Sequence, residues 1–118
     1  MYNTGTQTRT FCYVTDAVIG FLKVLLRGTN GEAYNVGNDL EEMSMLHLAE
    51  LVAEVCGGGQ SVRRVNYPET YPADEPQRRL PDLTKIRTEL HYGPSVDLRS
   101  GLERTLAWFQ SVSRSAGV

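Results

Sequence analysis

The sequence predicts a small mixed α/β domain with about three short strands and four helices, a count in keeping with usual element lengths. Three observations carry that expectation. Thr10-Phe11-Cys12-Tyr13-Val14 is a run of β-branched and aromatic residues of strand type. Val18, Phe21, Leu22, Leu25 and Leu26 then recur at helical spacing. Clusters of Gly, Pro and Asn punctuate the chain and leave no internal repeat.

Asn3-Thr4-Gly5-Thr6 is turn chemistry leading into the first strand. Thr15 is placed to cap a helix from Asp16 to Arg27, with Asp16 at its positive end, Arg27 in its last turn and Gly28 just beyond. Glu32-Ala33-Tyr34-Asn35-Val36 is predicted as a second strand, closed by Gly37-Asn38. Ser44 caps another amphipathic helix, which carries Leu46, Ala49, Leu51, Val52 and Val55 and ends at Gly57-Gly58-Gly59. Ser61 to Tyr67 can make a third strand. Pro68, Pro72 and Pro76 then enforce an extended, exposed loop rich in Asp and Glu.

Asp82 is a good cap for a short helix from Leu83 to Leu90, which His91-Tyr92-Gly93-Pro94 stops, and Asp97 caps the final helix. There Leu98, Leu102, Thr105, Leu106 and Phe109 form one face, with Trp108 beside it, and both aromatic residues are expected to pack inward. Residues 1–110 are thus read as the domain and 111–118 as a polar tail.

A chain of 118 residues suits one domain and is short for a dinucleotide-binding enzyme complete with its substrate region. A formal charge of -2 gives no general attraction to nucleic acid, so any anion site must be local. Lys23 and Lys85 are the only lysines among 12 basic residues, and arginine is the side chain whose planar fork suits phosphate. Cys12 and Cys56 sit inside apolar runs and read as buried, reduced thiols, not as a metal site. With no signal segment and no run of membrane-spanning length, a cytoplasmic protein that meets no membrane is expected.

Four segments in order carry a family resemblance. They are Gly5 to Asp16 with its Gln7-Thr8-Arg9 core, Tyr34 to Asn38, the loop from Asp74-Glu75-Pro76 through Arg78-Arg79-Leu80-Pro81-Asp82, and Leu98 to Phe109. Together they resemble the C-terminal, substrate-binding part of extended short-chain dehydrogenases/reductases, the NAD-dependent epimerase/dehydratase family, and most of all UDP-glucuronate decarboxylases. The resemblance implies that Arg9 and Arg79 contact the diphosphate of a nucleotide sugar, such as a UDP-sugar, with Gln7, Tyr13 and Arg78 as weaker candidates. The chemistry is sensible in itself. A diphosphate needs charge-assisted bidentate donors, and guanidiniums from two separate segments clamp it where one leaves it mobile.

Blander roles compete. Arg9 shares a face with Phe11 and Tyr13 only if its strand begins early. Arg78 can pair with Asp74 or Glu75 at the surface, Asp82 can serve only as a cap, Tyr13 can be core, and His47 and His91 read as ordinary surface or cap residues.

Family chemistry also needs a Gly-rich turn for the NAD pyrophosphate and a Tyr-x-x-x-Lys pair. Four residues before Lys23 stands Ile19, and four before Lys85 stands Pro81, so neither lysine completes that pair. No NAD is expected to bind this chain alone, and no catalytic residue is assigned. The resemblance aligns Met1-Tyr2 with only the end of a family strand, so two partners are expected: a dinucleotide-binding subunit, or a second copy joined near Met1 to Val14. The alternative function is a stand-alone binding or self-association module derived from such an enzyme.

Overall fold

The computed structural model describes residues 2–68, 70 and 76–115. Its elements are β1 (Thr8–Arg9), α1 (Val14–Arg27), β2 (Met43–Ser44), α2 (Met45–Val55), β3 (Arg78–Arg79), α3 (Thr84–Leu90) and α4 (Leu98–Ser115). The mixed α/β class and its three strands and four helices are as predicted. The helices lie where the periodicity put them, and the strands do not.

The sheet has the order β2-β1-β3, with β1 antiparallel to β2 and parallel to β3. Its ladder ends at Arg9, so the strand expected over Thr10–Val14 begins earlier and Val14 already opens α1. Tyr13, not Thr15, is the N-cap of α1, in extended backbone and without a side-chain cap. Glu32–Val36 joins no ladder among the described residues. Side chains hold that stretch instead: Lys85 Nζ donates to the Ala33 carbonyl at 3.0 Å and Tyr92 Oη to that of Gly37 at 2.8 Å. Strand-like composition marks a half-buried surface, and Tyr34 and Val36 supply one without a neighbouring strand. The third expected strand is reduced to one parallel bridge, Tyr2 with Val65, and Asn3 N–H donates to the Val65 carbonyl at 2.8 Å.

The turn chemistry is better realised. Ser44 Oγ accepts from His47 N–H at 3.1 Å, and Gly57, Gly58 and Gly59 end α2 with φ of 104°, 69° and 121°, where a Cβ would be strained. Asp82 accepts from Thr84 N–H at 2.8 Å, and His91 closes α3 in the left-handed region. Asp97 takes both the N–H and the hydroxyl of Ser100, and α4 then runs on to Ser115, into the residues read as tail.

The core is small: Leu83, Ile86, Leu90 and Tyr92 are buried, with Val24, Tyr34 and Val36 packed against them. Gly20 lets α1 approach it, since a Cβ there would lie 2.4 Å from Val36 Cγ1. In the first turn of α1, Asp16 is buried and accepts from Ser95 N–H, Ser95 Oγ and Val96 N–H at 2.8–3.0 Å. The predicted apolar face of α1 stays exposed, as do Trp108 and Phe109, which were expected inside. Accordingly the radius of gyration is 17.2 Å, against about 13.5 Å for a compact domain of this length. The accessible surface of 8313 Å² likewise exceeds the roughly 6,400 Å² usual for this mass. Cys56 is exposed and Cys12 half-buried, so the expected burial of both thiols is not met. Among the described residues no helix is long and apolar enough to cross a membrane.

Candidate functional site

The site is built on β1. Gln7, Arg9 and Phe11 alternate along the chain and line one cavity of about 720 Å³. The early start of β1 therefore supplies the condition that Arg9 needed to share a face with Phe11. The opposite wall is apolar, with Leu48, Ala49 and Val52 of α2 at helical spacing. Tyr2 and Tyr67 stack across the rim with ring centroids 5.4 Å apart, and Gln7 Nε2 donates to Tyr67 Oη at 2.7 Å.

Arg9 also borders a second cavity of about 580 Å³, formed with Cys12, Gly37, Asn38, Arg78 and Arg79. Its guanidinium donates through Nη1 to the Thr8 carbonyl at 2.7 Å. Buried Asn38 ties this wall to the strand, since its Nδ2 donates to the Phe11 carbonyl at 3.1 Å. Close approach recurs at Gly37, where a Cβ would sit 3.3 Å from Pro81 Cγ.

The parallel register pairs Thr8 with Arg78 and Arg9 with Arg79. Registered residues point to the same side of a sheet, so Arg9 and Arg79 share one face and Thr8 and Arg78 the other. Arg78 is held by Glu42, whose carboxylate accepts Nε and Nη2 at 2.8 Å each. Asp74 and Glu75, expected as its partners, lie outside the described residues. The Arg78 hydrogen bonds, helped by that of Thr8, pull the Glu42 carboxyl down to about 2. Among the described residues Arg79 meets no carboxylate.

The structure thus sets Arg9 beside Gln7 at the first cavity and beside Arg79 at the second, which Arg78, tied down by Glu42, also lines. Tyr13 lines neither cavity. It packs over Gly101, with the Arg104 guanidinium 5.7 Å from its ring. Asp82 acts as a cap, as its bond to Thr84 shows; that bond also holds its carboxyl below the ordinary range. Glu42, Asn38 and Tyr67 were missed. Tyr67 ends a strand-like run and could have been noted, whereas no local signal singles out Glu42.

Among the described residues no group of three potential ligands is placed to hold a metal. The glycine triplet among the described residues is not placed as a pyrophosphate cradle. Gly57-Gly58-Gly59 follows the C-terminus of α2, the negative end of a helix, whereas pyrophosphate sits at the positive N-terminus.

Arg9 joins the apolar cavity to the one that Arg79 lines, and sequence comparison gives the chain a family. The model of the NAD dependent epimerase/dehydratase family matches residues 1–37. The UDP-glucuronic acid decarboxylase 5 of Arabidopsis thaliana is 42% identical over 83% of this chain and 27% of its own length. Among solved structures, the dTDP-glucose 4,6-dehydratase of Streptomyces venezuelae with NAD bound superposes with a TM-score of 0.82 at 30% identity, covering 95% of this chain and 34% of that one. The UDP-glucuronic acid 4-epimerase of Bacillus cereus, in complex with UDP-glucuronic acid and NAD, gives 0.78 at 29% identity, with 95% and 35% covered.

This chain belongs to the NAD dependent epimerase/dehydratase family. It spans between 24% and 35% of the length of the first curated relatives it matches.

Proposed function

We propose that this chain is the C-terminal nucleotide-sugar-binding portion of a sugar-nucleotide-modifying enzyme, most like a UDP-glucuronate decarboxylase, and that it binds without turning over substrate by itself. One observation carries the reading: Arg9 and Arg79 stand in register on one sheet face, and Arg9 borders both cavities. The apolar cavity suits a base with its ribose, and the arginine pair suits the diphosphate between base and sugar. The relatives support the substrate class, since the Bacillus enzyme holds UDP-glucuronic acid and the Arabidopsis enzyme is a UDP-glucuronic acid decarboxylase.

Hydride chemistry has to draw on residues this chain does not place. Neither lysine has a tyrosine four residues before it, and the described residues offer NAD no fitting turn. NAD therefore binds elsewhere in the working enzyme, on a dinucleotide-binding portion or subunit.

Calorimetric titration with UDP, UDP-glucuronate, dTDP and NAD in parallel tests the reading. The expected result is measurable UDP affinity and no NAD affinity, with Arg79→Ala weakening UDP roughly tenfold or more and Arg78→Ala roughly threefold, as charge-assisted bonds outweigh an exposed ion pair. Equal losses in the two variants would remove the phosphate role from Arg79. NAD-dependent turnover of UDP-glucuronate by the pure chain would refute the non-catalytic half.

A self-association reading rests on a separate observation, the surplus of about 1,900 Å² over the usual surface, more than the roughly 800 Å² each partner gives to a standard interface. The strand edge at Tyr2-Asn3 is already engaged by Val65, so the α1 face is the stronger candidate for such contact. Light scattering at micromolar concentration decides it, a 13.2 kDa species with no concentration dependence being the contrary result.

A further inference from the structure

Arg9 and Arg79 pose a problem for the sheet that carries them. Each strand is two residues long, and like charges in register across a strand pair are destabilising. The strand pair has to hold these two side chains side by side. The backbone pairing is a ladder of two residues per strand, continued by Thr8 N–H donating to the Gln77 carbonyl at 2.8 Å, which is a short tether.

Glu42 supplies the missing hold. It immediately precedes β2, and its one carboxylate reaches the other two strands. Oε1 accepts from Thr8 Oγ1 of β1 at 2.5 Å and from Arg78 Nε of β3 at 2.8 Å, while Oε2 accepts from Arg78 Nη2 at 2.8 Å. Thr8 and Arg78 are registered partners, one residue before the registered pair Arg9 and Arg79. A grip on the first pair therefore fixes the second, on the opposite face. The Glu42 side chain is only 26% exposed and the contact to Arg78 is bidentate, the geometry in which a near-surface pair holds best.

We propose that Glu42 is the positioning residue of the anion site, clipping β3 to β1 so that Arg79 stands beside Arg9. The assignment rests on the phosphate-binding reading given above, and goes beyond it by assigning a carboxylate a supporting role in the capture of an anion. That role makes a prediction of unusual sign. Removing a negative charge near a phosphate site ordinarily strengthens phosphate binding. If Glu42 is a clip, its removal weakens binding.

The test uses Glu42→Gln, which keeps the shape and loses the charge, and Glu42→Asp, which keeps the charge and shortens the reach. Amide exchange by NMR reads the clip without any ligand. Thr8 N–H is expected to exchange roughly three- to tenfold faster in both variants, as fits the loss of a bidentate near-surface pair. The amides of His91 and Tyr92 at the end of α3 are expected to keep their protection, which separates local loosening from global destabilisation. Titration then reads the site: UDP is expected to bind roughly three- to fivefold more weakly to both variants, with uridine, which has no phosphate, unchanged. Unchanged Thr8 exchange overturns the clip. Tighter UDP binding by Glu42→Gln with no change in Glu42→Asp overturns it too, since Glu42 would then act through charge alone. If the wild-type chain binds no UDP, the phosphate reading fails, and with it the role of Glu42 in positioning the site, whatever the Thr8 exchange shows of the strands.

Discussion

The two faces of α1 are built in opposite ways. Toward the rest of the chain it presents Asp16, Gly20 and Val24, of which two are buried and one packs on the core. Away from it stand Phe21, Leu22, Leu25 and Leu26, and Leu25 is 78% exposed. The helix turns its small and polar residues inward and its apolar stripe outward. An amphipathic period shows that a helix has a face to bury, and it does not say that this chain buries it. The inward face is held by shape and hydrogen bonds, while the outward face leaves large apolar side chains at the surface.

The comparison is sharpest where burial is most complete. Ile86 is 1% exposed at the centre of the cluster that the inward face of α1 touches. Ile86→Ala is expected to cost about 2–5 kcal/mol by lost transfer energy and the cavity left behind. Urea denaturation with a fixed m-value measures it. A loss below about 1 kcal/mol would mean the corner is loosely packed and the contrast between the faces is illusory.

Asp16 gives the inward face a pH dependence. Burial pushes its carboxyl up, but the hydrogen bonds from Val96 and Ser95 together outweigh burial, and the net shift is downward. A carboxyl whose folded pKa is depressed stabilises above its unfolded pKa and loses that contribution as pH falls through the folded value. An aspartate carboxyl ordinarily titrates near 3.8, so the loss is expected below that pH. Asp16→Asn is expected to cost about 1–3 kcal/mol at neutral pH and to flatten the acid limb of a stability-against-pH curve. An unchanged acid limb would show that the Ser95-Val96 turn does not depend on the charge.

Gly20→Ala follows in size. The added Cβ would lie 2.4 Å from Val36 Cγ1 and 3.0 Å from the Tyr92 ring. Overpacking of this kind costs about 1–3 kcal/mol, against which helix propensity returns up to about 1, so a net loss of roughly 1 kcal/mol in thermal or urea unfolding is expected. A stabilised variant would mean that α1 can ride away from Val36 freely.

What the sequence disclosed follows the same division. Helices were legible because each carries its own period and its own stop signals, as Ser44, Asp97 and Gly57 to Gly59 show. Two-residue strands carry no alternation, so β2 and β3 gave no signal, while Tyr34 and Val36 gave a strand signal that only reflects packing. Arg9 and Arg79 were singled out through family resemblance, though their adjacency depends on a register that no local pattern encodes. Glu42 was invisible for a related reason: its partners lie 34 and 36 residues away. Trp108 was misplaced because aromatic residues at helical spacing mark an apolar face, here one left at the surface.

The smallest effect belongs to the outward face. Leu25 is so exposed that replacing it by Gln removes little buried apolar area within the chain, and both residues are good helix formers. For a dilute monomer, Leu25→Gln is therefore expected to change unfolding free energy by less than about 0.5 kcal/mol. At higher concentration the two readings of this face diverge. If α1 meets a second copy, the wild-type midpoint rises with concentration by mass action, and Leu25→Gln abolishes the rise. If the face awaits a dinucleotide-binding portion, neither protein shows any concentration dependence and both midpoints coincide throughout. A loss comparable to that of Ile86→Ala in the dilute monomer would contradict both, because it would mean that Leu25 is buried within the chain and that the two faces of α1 are alike.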